Sequence, residues 1–480
     1  MKIAMVASES LPFSKTGGLG DVVFSLSREF VKEKHEVSII LPYYEFIDYS
    51  NFPKLTLFKS LDVSINRRKP SCDVYVASYE GITYYLIANK YYFGRDNYYG
   101  FFDDGERFAF FTNAVIELLR NIDVNFDVVH VHDRQPGMIP CLLHEKYRKD
   151  PKLNDIKTVL TIHNPLFKGY FSKDSLFDFY GLDSSLYDDG SVRLDDQVST
   201  LKAGIKFSDK ITTVSPTHAY ELTTPEGSMG LWYDMTLRSH DFVGILNGIN
   251  YEEYDPRKDP DIAKNYDLKT FKSGKRSCKV ALCKKLNLNP DLPLFSVISR
   301  LADQKGLDLL FAMADFLSYT GGNIVVLGSG EQYAEDYFKG LEHRNPRHVV
   351  AKIGFDEVFA HELYAASDFF LMPSKFEPCG IGQMIAQHYG TIPIVRLTGG
   401  LKDSVLPYNG EAEADDTFAD GFAFSEYNVS EAIKVVGEAI NLYIKEPDII
   451  DRLAKNAMQV DHSWKSSAKK YIELYESIGK

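Results

Sequence analysis

The sequence predicts an α/β protein built on parallel sheets. Two observations carry this reading: short, β-branched apolar runs recur along the chain, and longer stretches of helical period separate them. A third observation divides the chain. The alternation pauses at Val243–Pro260, which carries Asn247-Gly248-Ile249-Asn250 and Asp255-Pro256-Arg257-Lys258-Asp259-Pro260, and then resumes.

Taken in order, Ile3–Ala7, Glu36–Leu41, Val128–Val131, Thr158–Ile162 and Lys210–Val214 read as buried strands of a first domain. Phe295–Ile298, Asn323–Leu327, Phe369–Met372 and Thr391–Val395 read as strands of a second. Phe108–Arg120 and Leu307–Leu317 carry helix-period apolar faces. Strands that alternate with helices pair in parallel, and ligands of such folds gather at the carboxyl ends of the strands. The boundary is placed near residue 245, giving domains 1–244 and 245–480. No repeat of short period and no low-complexity tract interrupts them. Tyr91–Phe102, with Tyr91, Tyr92, Tyr98 and Tyr99, is expected to be a polar-aromatic loop, either packed on the surface or stacking a carbohydrate.

Composition narrows the class. Hydrophobic residues make up 44% and charged residues 25% of 480, which suits a soluble globular chain with a substantial core. Lys and Arg total 54 against 67 Asp and Glu, a formal charge of −13, which argues against a general nucleic-acid binder needing a basic face. Five cysteines, with only Cys278 and Cys283 near each other, make neither a disulfide framework nor a zinc pattern. A reducing cytoplasm is expected. The apolar run at Met1–Ala7 is expected to be too short for a signal peptide, and no stretch of about 18 apolar residues is present to cross a membrane.

Five motifs follow strands. Lys15-Thr16-Gly17-Gly18-Leu19-Gly20-Asp21 comes after the first strand and just before an apolar helix. Glycines let backbone N–H groups approach an anion, a helix start adds partial positive charge, and Lys15 adds a full one. The loop is a candidate phosphate cradle, although a tight turn with a solvated lysine would look the same. Arg300-Leu301-Ala302-Asp303-Gln304-Lys305-Gly306 follows Phe295–Ile298. Its two cations could hold a diphosphate leaving group without a metal, or form structural ion pairs. Pro373–Gln383 follows Phe369–Met372 and turns at Pro378 and Gly380 into a helix. N–H groups near Gly380 and Ile381 would face a phosphate, and Glu377 could accept from hydroxyls. Cys379 has no histidine partner in sequence and reads as a small packing residue. His130-Val131-His132-Asp133 and Thr161-Ile162-His163-Asn164 complete the set. Two His and an Asp suggest a metal, but no further cluster completes a site, and hydroxyl partners are expected instead.

In this order the segments resemble bacterial glycogen synthases and plant starch synthases, retaining glycosyltransferases of the GT-B fold. The likeness runs nearly the whole length. It takes in Val6-Ala7-Ser8-Glu9, Glu106-Arg107-Phe108, Val214-Ser215-Pro216-Thr217, Gly244-Ile245-Leu246-Asn247-Gly248 and Gly354-Phe355-Asp356-Glu357. It continues through Tyr389-Gly390-Thr391-Ile392-Pro393, Thr398-Gly399-Gly400-Leu401 and a final helix near Trp464–Tyr475. The resemblance implies two Rossmann-like domains facing a cleft, with the last helix, 464–478, packing back on the first domain. It implies a donor, ADP-glucose, held mainly by the second half, and an α-1,4-glucan acceptor served by the first. Arg300 and Lys305 would hold the diphosphate, joined by backbone at Cys379, Gly380 and Ile381 and by Lys15, Gly17 and Gly18. Phe355 would stack on the base and Glu377 would contact the glucose. His163 would line the sugar's β-face, and Asp21, Asp133 and Asn164 would position sugar or acceptor. No cofactor and no metal are implied, nor a nucleic-acid or membrane partner.

Three positions depart from the family pattern. Arg134 stands where Trp usually follows His-Asp, Lys168 where Gln is common, and Asn250 where the linker usually ends in Asp. The first two could be drift, with Arg134 stacking in place of Trp, or could mark a phosphorylated acceptor. Two alternatives to a glucan synthase are therefore kept: a related glucosyltransferase with another acceptor, and a non-catalytic glucan-binding paralogue.

Overall fold

The computed structural model describes residues 1–65, 69–410 and 416–478. The chain divides into two compact units, Met1–Ile245 with Trp464–Lys480, and Leu246–Ser463.

The first unit is built on a nine-stranded sheet and a three-stranded one. Its strands are β1 (Lys2–Val6), β2 (Glu36–Pro42), β3 (Thr56–Asp62), β4 (Ser71–Tyr79), β5 (Ile82–Ala88), β6 (Val128–His132), β7 (Lys157–Ile162), β8 (Tyr170–Phe171), β9 (Arg193–Leu194), β10 (Gln197–Ser199), β11 (Lys210–Thr213) and β12 (Phe242–Gly244). The large sheet runs β12-β11-β7-β6-β1-β2-β5-β4-β3. The pairs β4–β5 and β3–β4 are antiparallel; the rest of its pairings are parallel.

Burial on both faces explains why the central strands read as continuous apolar runs. Along β1, Ala4 and Val6 enter one core while Ile3 and Met5 enter the other. The helix Trp464–Ser477 belongs to the second of these cores, where Trp464, Ala468, Tyr471 and Tyr475 are buried beside Phe30. The antiparallel edge was not expected from sequence. Strand β3 is exposed at every position but Leu61, so it lacks the apolar run that marks its neighbours.

The second unit holds a six-stranded, wholly parallel sheet ordered β15-β14-β13-β16-β17-β18. Its strands are β13 (Leu294–Ile298), β14 (Asn323–Gly328), β15 (Val349–Ile353), β16 (Phe369–Met372), β17 (Ile392–Arg396) and β18 (Phe422–Phe424). The chain lays down β13, β14 and β15 outward in one direction, then returns to place β16, β17 and β18 in the other. The order reverses between β13 and β16, and connecting loops part there to leave a crevice at the carboxyl ends. The first unit reverses in the same way at β1, which lies between β2 and β6.

Removing the buried indole of Trp464 should cost about 3–5 kcal/mol, as large-to-small core substitutions do. Trp464→Ala is expected to move the first unit's unfolding transition to lower denaturant, measured by urea titration. An unchanged midpoint would mean that the helix adds nothing to that core.

Candidate functional site

In the second unit, two loops leave the crevice between β13 and β16, and they are fastened together. Lys375 N–H donates to the Gln304 carbonyl at 2.9 Å, Gln304 Nε2 to the Phe376 carbonyl at 3.3 Å, and Lys375 Nζ meets Asp303 at 2.5 Å. Gly306 has φ +73°, and a β-carbon on it would lie 2.2 Å from the Pro373 carbonyl oxygen, so only glycine permits this approach. The fastening brings Lys305 to Glu377: Nζ and Oε2 are 2.5 Å apart, and Glu377, 7% exposed, also accepts from Ser374 Oγ at 3.0 Å. Arg300 starts the first loop with an exposed side chain that has no ion pair or hydrogen bond among the described residues.

The second loop turns at Gly380, whose φ is +73°. The N–H groups of Gly380 and Ile381 have no hydrogen-bond partner among the described residues. Two cations and two open N–H donors at one crevice make a place for a phosphate-bearing group. Cys379 lies within the turn, but burial pushes its thiol up to about 12, so it is no thiolate nucleophile. Phe355 sits apart from this group, just past β15, with 89% of its surface exposed after Gly354. A free ring face of this kind can take a planar base.

In the first unit, the loop after β1 carries Lys15 and Gly17, and the first turn of the helix that follows carries Gly18 and Asp21. The helix Gly18–Lys32 starts there, with Gly17 extended at its cap. Lys15 Nζ pairs with Asp21 Oδ1 at 2.9 Å. The strut beneath this loop was not expected from sequence. Glu9, 3% exposed, accepts from Thr16 N–H and, at 2.8 Å, from Thr16 Oγ1. It also accepts from the Tyr99 hydroxyl at 2.5 Å. Tyr99 therefore supports the cradle from the tyrosine-rich segment. Tyr92 is packed against Phe110, ring centroids 4.5 Å apart, and the buried Arg107 donates to the carbonyls of Tyr92 and Tyr98 at 2.8 and 3.2 Å. Most of that segment is thus scaffolding, while Tyr91 and Phe102 stay exposed. The resemblance had singled out Ser8-Glu9 and Glu106-Arg107 without a role for either.

After β6 and β7, the structure brings Asp133, His163 and Asn164 together. Asp133 adopts φ +60°, a left-handed conformation that Asp tolerates better than most residues. Its Oδ1 accepts from the N–H groups of His163 at 2.7 Å and Asn164 at 3.4 Å. His163 Nε2 lies 2.9 Å from His132 Nδ1, and His132 stacks on His130 at 4.2 Å. His130 in turn contacts Tyr475 hydroxyl at 2.7 Å and Thr161 Oγ1 at 2.6 Å. Burial lowers the basicity of all three imidazoles, so the row is neutral. Asp133 moves the other way, its carboxyl pushed up by the same loss of water.

The two cations that depart from the family pattern are both occupied. The Arg134 guanidinium lies 5.3 Å from the Phe167 ring centroid. Lys168, 6% exposed, turns its ammonium onto the Pro165 carbonyl, and burial pulls its pKa down. Neither geometry favours a phosphorylated acceptor, since each cation is engaged by a neighbouring group. Among the described residues, the His, Asp and Glu groups close enough to share an ion lie elsewhere, around His361. There Asp259 is already bonded to His361 at 2.7 Å and to the Tyr389 hydroxyl at 2.5 Å.

Both halves match known families. Residues 2–237 match the starch synthase catalytic domain and residues 281–460 the glycosyl transferases group 1 family. The fold is that of GT-B glycosyltransferases: a catalytic domain of starch synthase IV from Arabidopsis thaliana, bound to ADP and acarbose, superposes with a TM-score of 0.91 at 34% identity, covering 100% of this chain and 99% of that one. A glycogen synthase from Clostridium kluyveri is 42% identical with 100% of both chains covered, and one from Clostridium perfringens is 44% identical over 100% of this chain and 98% of its own. The chain belongs to the glycogen and starch synthase family and is a glucosyltransferase. No helix among the described residues is long and apolar enough to cross a membrane.

The neutral histidine row has a consequence for stability. His130 is lowered from 6.5 to about 3 by burial, whereas an unfolded chain would protonate it near 6.5. Between those values the unfolded state binds the extra proton, so stability is full above the upper value and falls as pH drops toward the lower. His130→Asn is expected to flatten the pH dependence of the urea midpoint across this window relative to the natural chain. Parallel profiles would show that His130 protonates in the fold.

Proposed function

We propose that the chain transfers glucose from ADP-glucose to the non-reducing end of an α-1,4-glucan, with retention of configuration and without a metal. The observation that carries this reading is the convergence at the β13–β16 crevice of Arg300, Lys305, Glu377 and the open N–H groups of Gly380 and Ile381. The ADP bound to the Arabidopsis relative supports the choice of nucleotide, and full-length likeness to glycogen synthases supports the acceptor. Five free, buried cysteines suit a reducing cytoplasm.

In this mechanism the bond between the glucose anomeric carbon and the β-phosphate oxygen breaks, and its electron pair leaves on the phosphate. Arg300, Lys305 and the two N–H groups hold that developing charge. Glu377, paired with Lys305, accepts from a glucose hydroxyl. The acceptor hydroxyl attacks the same face that the phosphate leaves, and its proton passes to the departing phosphate oxygen. His163 stays neutral and lines the sugar with its backbone carbonyl, fixed by Asp133. Asp21 and Asn164 orient hydroxyls, Lys15 adds a cation for the phosphates, and Phe355 stacks on adenine. The proposed mechanism calls on no carboxylate pair for the nucleophile and acid roles used by retaining glycosidases.

Labelled glucose from ADP-glucose or UDP-glucose should be offered to glycogen, maltooligosaccharide and glucose-1-phosphate with chelator present. Glycogen elongation from ADP-glucose is expected. Transfer only to the phosphorylated acceptor, loss of activity in chelator, or no turnover would each overturn the proposal. Lys305→Ala should lower kcat by about 10²–10³, the usual cost of losing one charge-stabilising donor.

A further inference from the structure

Something must aim the N–H groups of Gly380 and Ile381 outward, because a glycine turn can present either side of its peptides. We infer that Gln383 is the residue that does so, and that it acts as a positioning residue for the donor's diphosphate. This inference rests on the reading of the β13–β16 crevice as the diphosphate site.

Gln383 is wholly buried at the start of the helix Gly382–His388. Its carboxamide Nε2 reaches back to the Cys379 carbonyl at 3.2 Å and the Gly380 carbonyl at 3.0 Å. It also donates to Ser404 Oγ at 2.9 Å, and Ser404 in turn donates to the Gly400 carbonyl at 2.6 Å. With two hydrogens, one serves Ser404 and the other is shared between the two adjacent carbonyls. The contact with Ser404 also sets which way round the amide lies: turned over, Oε1 would face two carbonyl oxygens.

Peptide planarity converts this grip into direction. In a trans peptide the C=O and N–H point opposite ways. Holding the Cys379 carbonyl inward therefore turns the Gly380 N–H outward, and holding the Gly380 carbonyl turns out that of Ile381. These are the N–H groups that have no partner among the described residues. Successive outward N–H groups around a left-handed glycine form an anion nest. Gly380 is locked to the same clamp, since a β-carbon there would lie 2.6 Å from Gln383 Oε1. A second strand of support comes from Gly400, whose N–H donates to the Glu377 carbonyl at 3.0 Å. Thus the Cys379 and Gly380 carbonyls are held on the inner side of the turn, and the outer side is left for a ligand.

The test separates phosphate recognition from general damage. Binding of ADP and of adenosine would be measured by calorimetry on the natural chain, on Gln383→Met, which keeps length but has no donor, and on Ser404→Ala, which frees the amide to rotate. Thermal unfolding would be followed in parallel. The expected result is an ADP dissociation constant raised about tenfold or more in Gln383→Met and several-fold in Ser404→Ala, with adenosine unchanged within about twofold, as for loss of charge-assisted hydrogen bonds to phosphate alone. Equal weakening of ADP and adenosine, or no weakening of ADP in either variant, would overturn the role of Gln383. If the natural chain bound ADP no better than adenosine, the diphosphate site itself would fall, and the inference with it.

Discussion

The constraint on which the rest depends is the reversal of strand order in a parallel sheet. A right-handed crossover must return each strand to the same direction, so every loop that leaves a carboxyl end lies on one edge of the sheet. Where the order reverses, neighbouring loops run to opposite faces and open a crevice. In the second unit this happens between β13 and β16, and those two loops carry Arg300, Lys305 and Glu377. In the first unit it happens around β1, and the loops after β1, β6 and β7 carry Lys15, Asp133 and His163. Residues far apart in sequence are neighbours because the sheet leaves them no other place.

Topology delivers loops, but buried polar groups shape them. Glu9 holds the Lys15 loop through Thr16, Asp133 holds the His163 backbone, and Gln383 holds the turn at Gly380. Each is a hydrogen-bonding side chain directed at the main chain and largely withdrawn from water. Such groups are costly to bury without partners, so each defines one loop geometry strongly. The cations beside them remain available: Arg300 is exposed, and Lys305 shares its charge with a single carboxylate.

Much of this was readable in the sequence, for a physical reason. Strands such as Phe369–Met372 are buried on both faces and must be continuous apolar runs, and the motifs follow them directly. The strand β3 escaped because an edge strand facing water needs no such run. The supporting residues escaped as well. Nothing local in Glu9 says that its partner is Tyr99, ninety positions on, and nothing in Gln383 says that it points backward to Cys379. The added charges at Arg134 and Lys168 left two readings open in the sequence, drift with Arg134 stacking in place of Trp or a phosphorylated acceptor. Their side chains lie on Phe167 and Pro165, a choice that local packing makes and that charge counting misses.

The most direct measurement of the central claim is a crystal structure of the chain with ADP. The account predicts the diphosphate at the carboxyl ends of β13 and β16, with its oxygens within hydrogen-bond distance of Arg300, Lys305 and the N–H groups of Gly380 and Ile381. A diphosphate bound anywhere else, or at that crevice but held by side chains alone with both N–H groups unengaged, would contradict it.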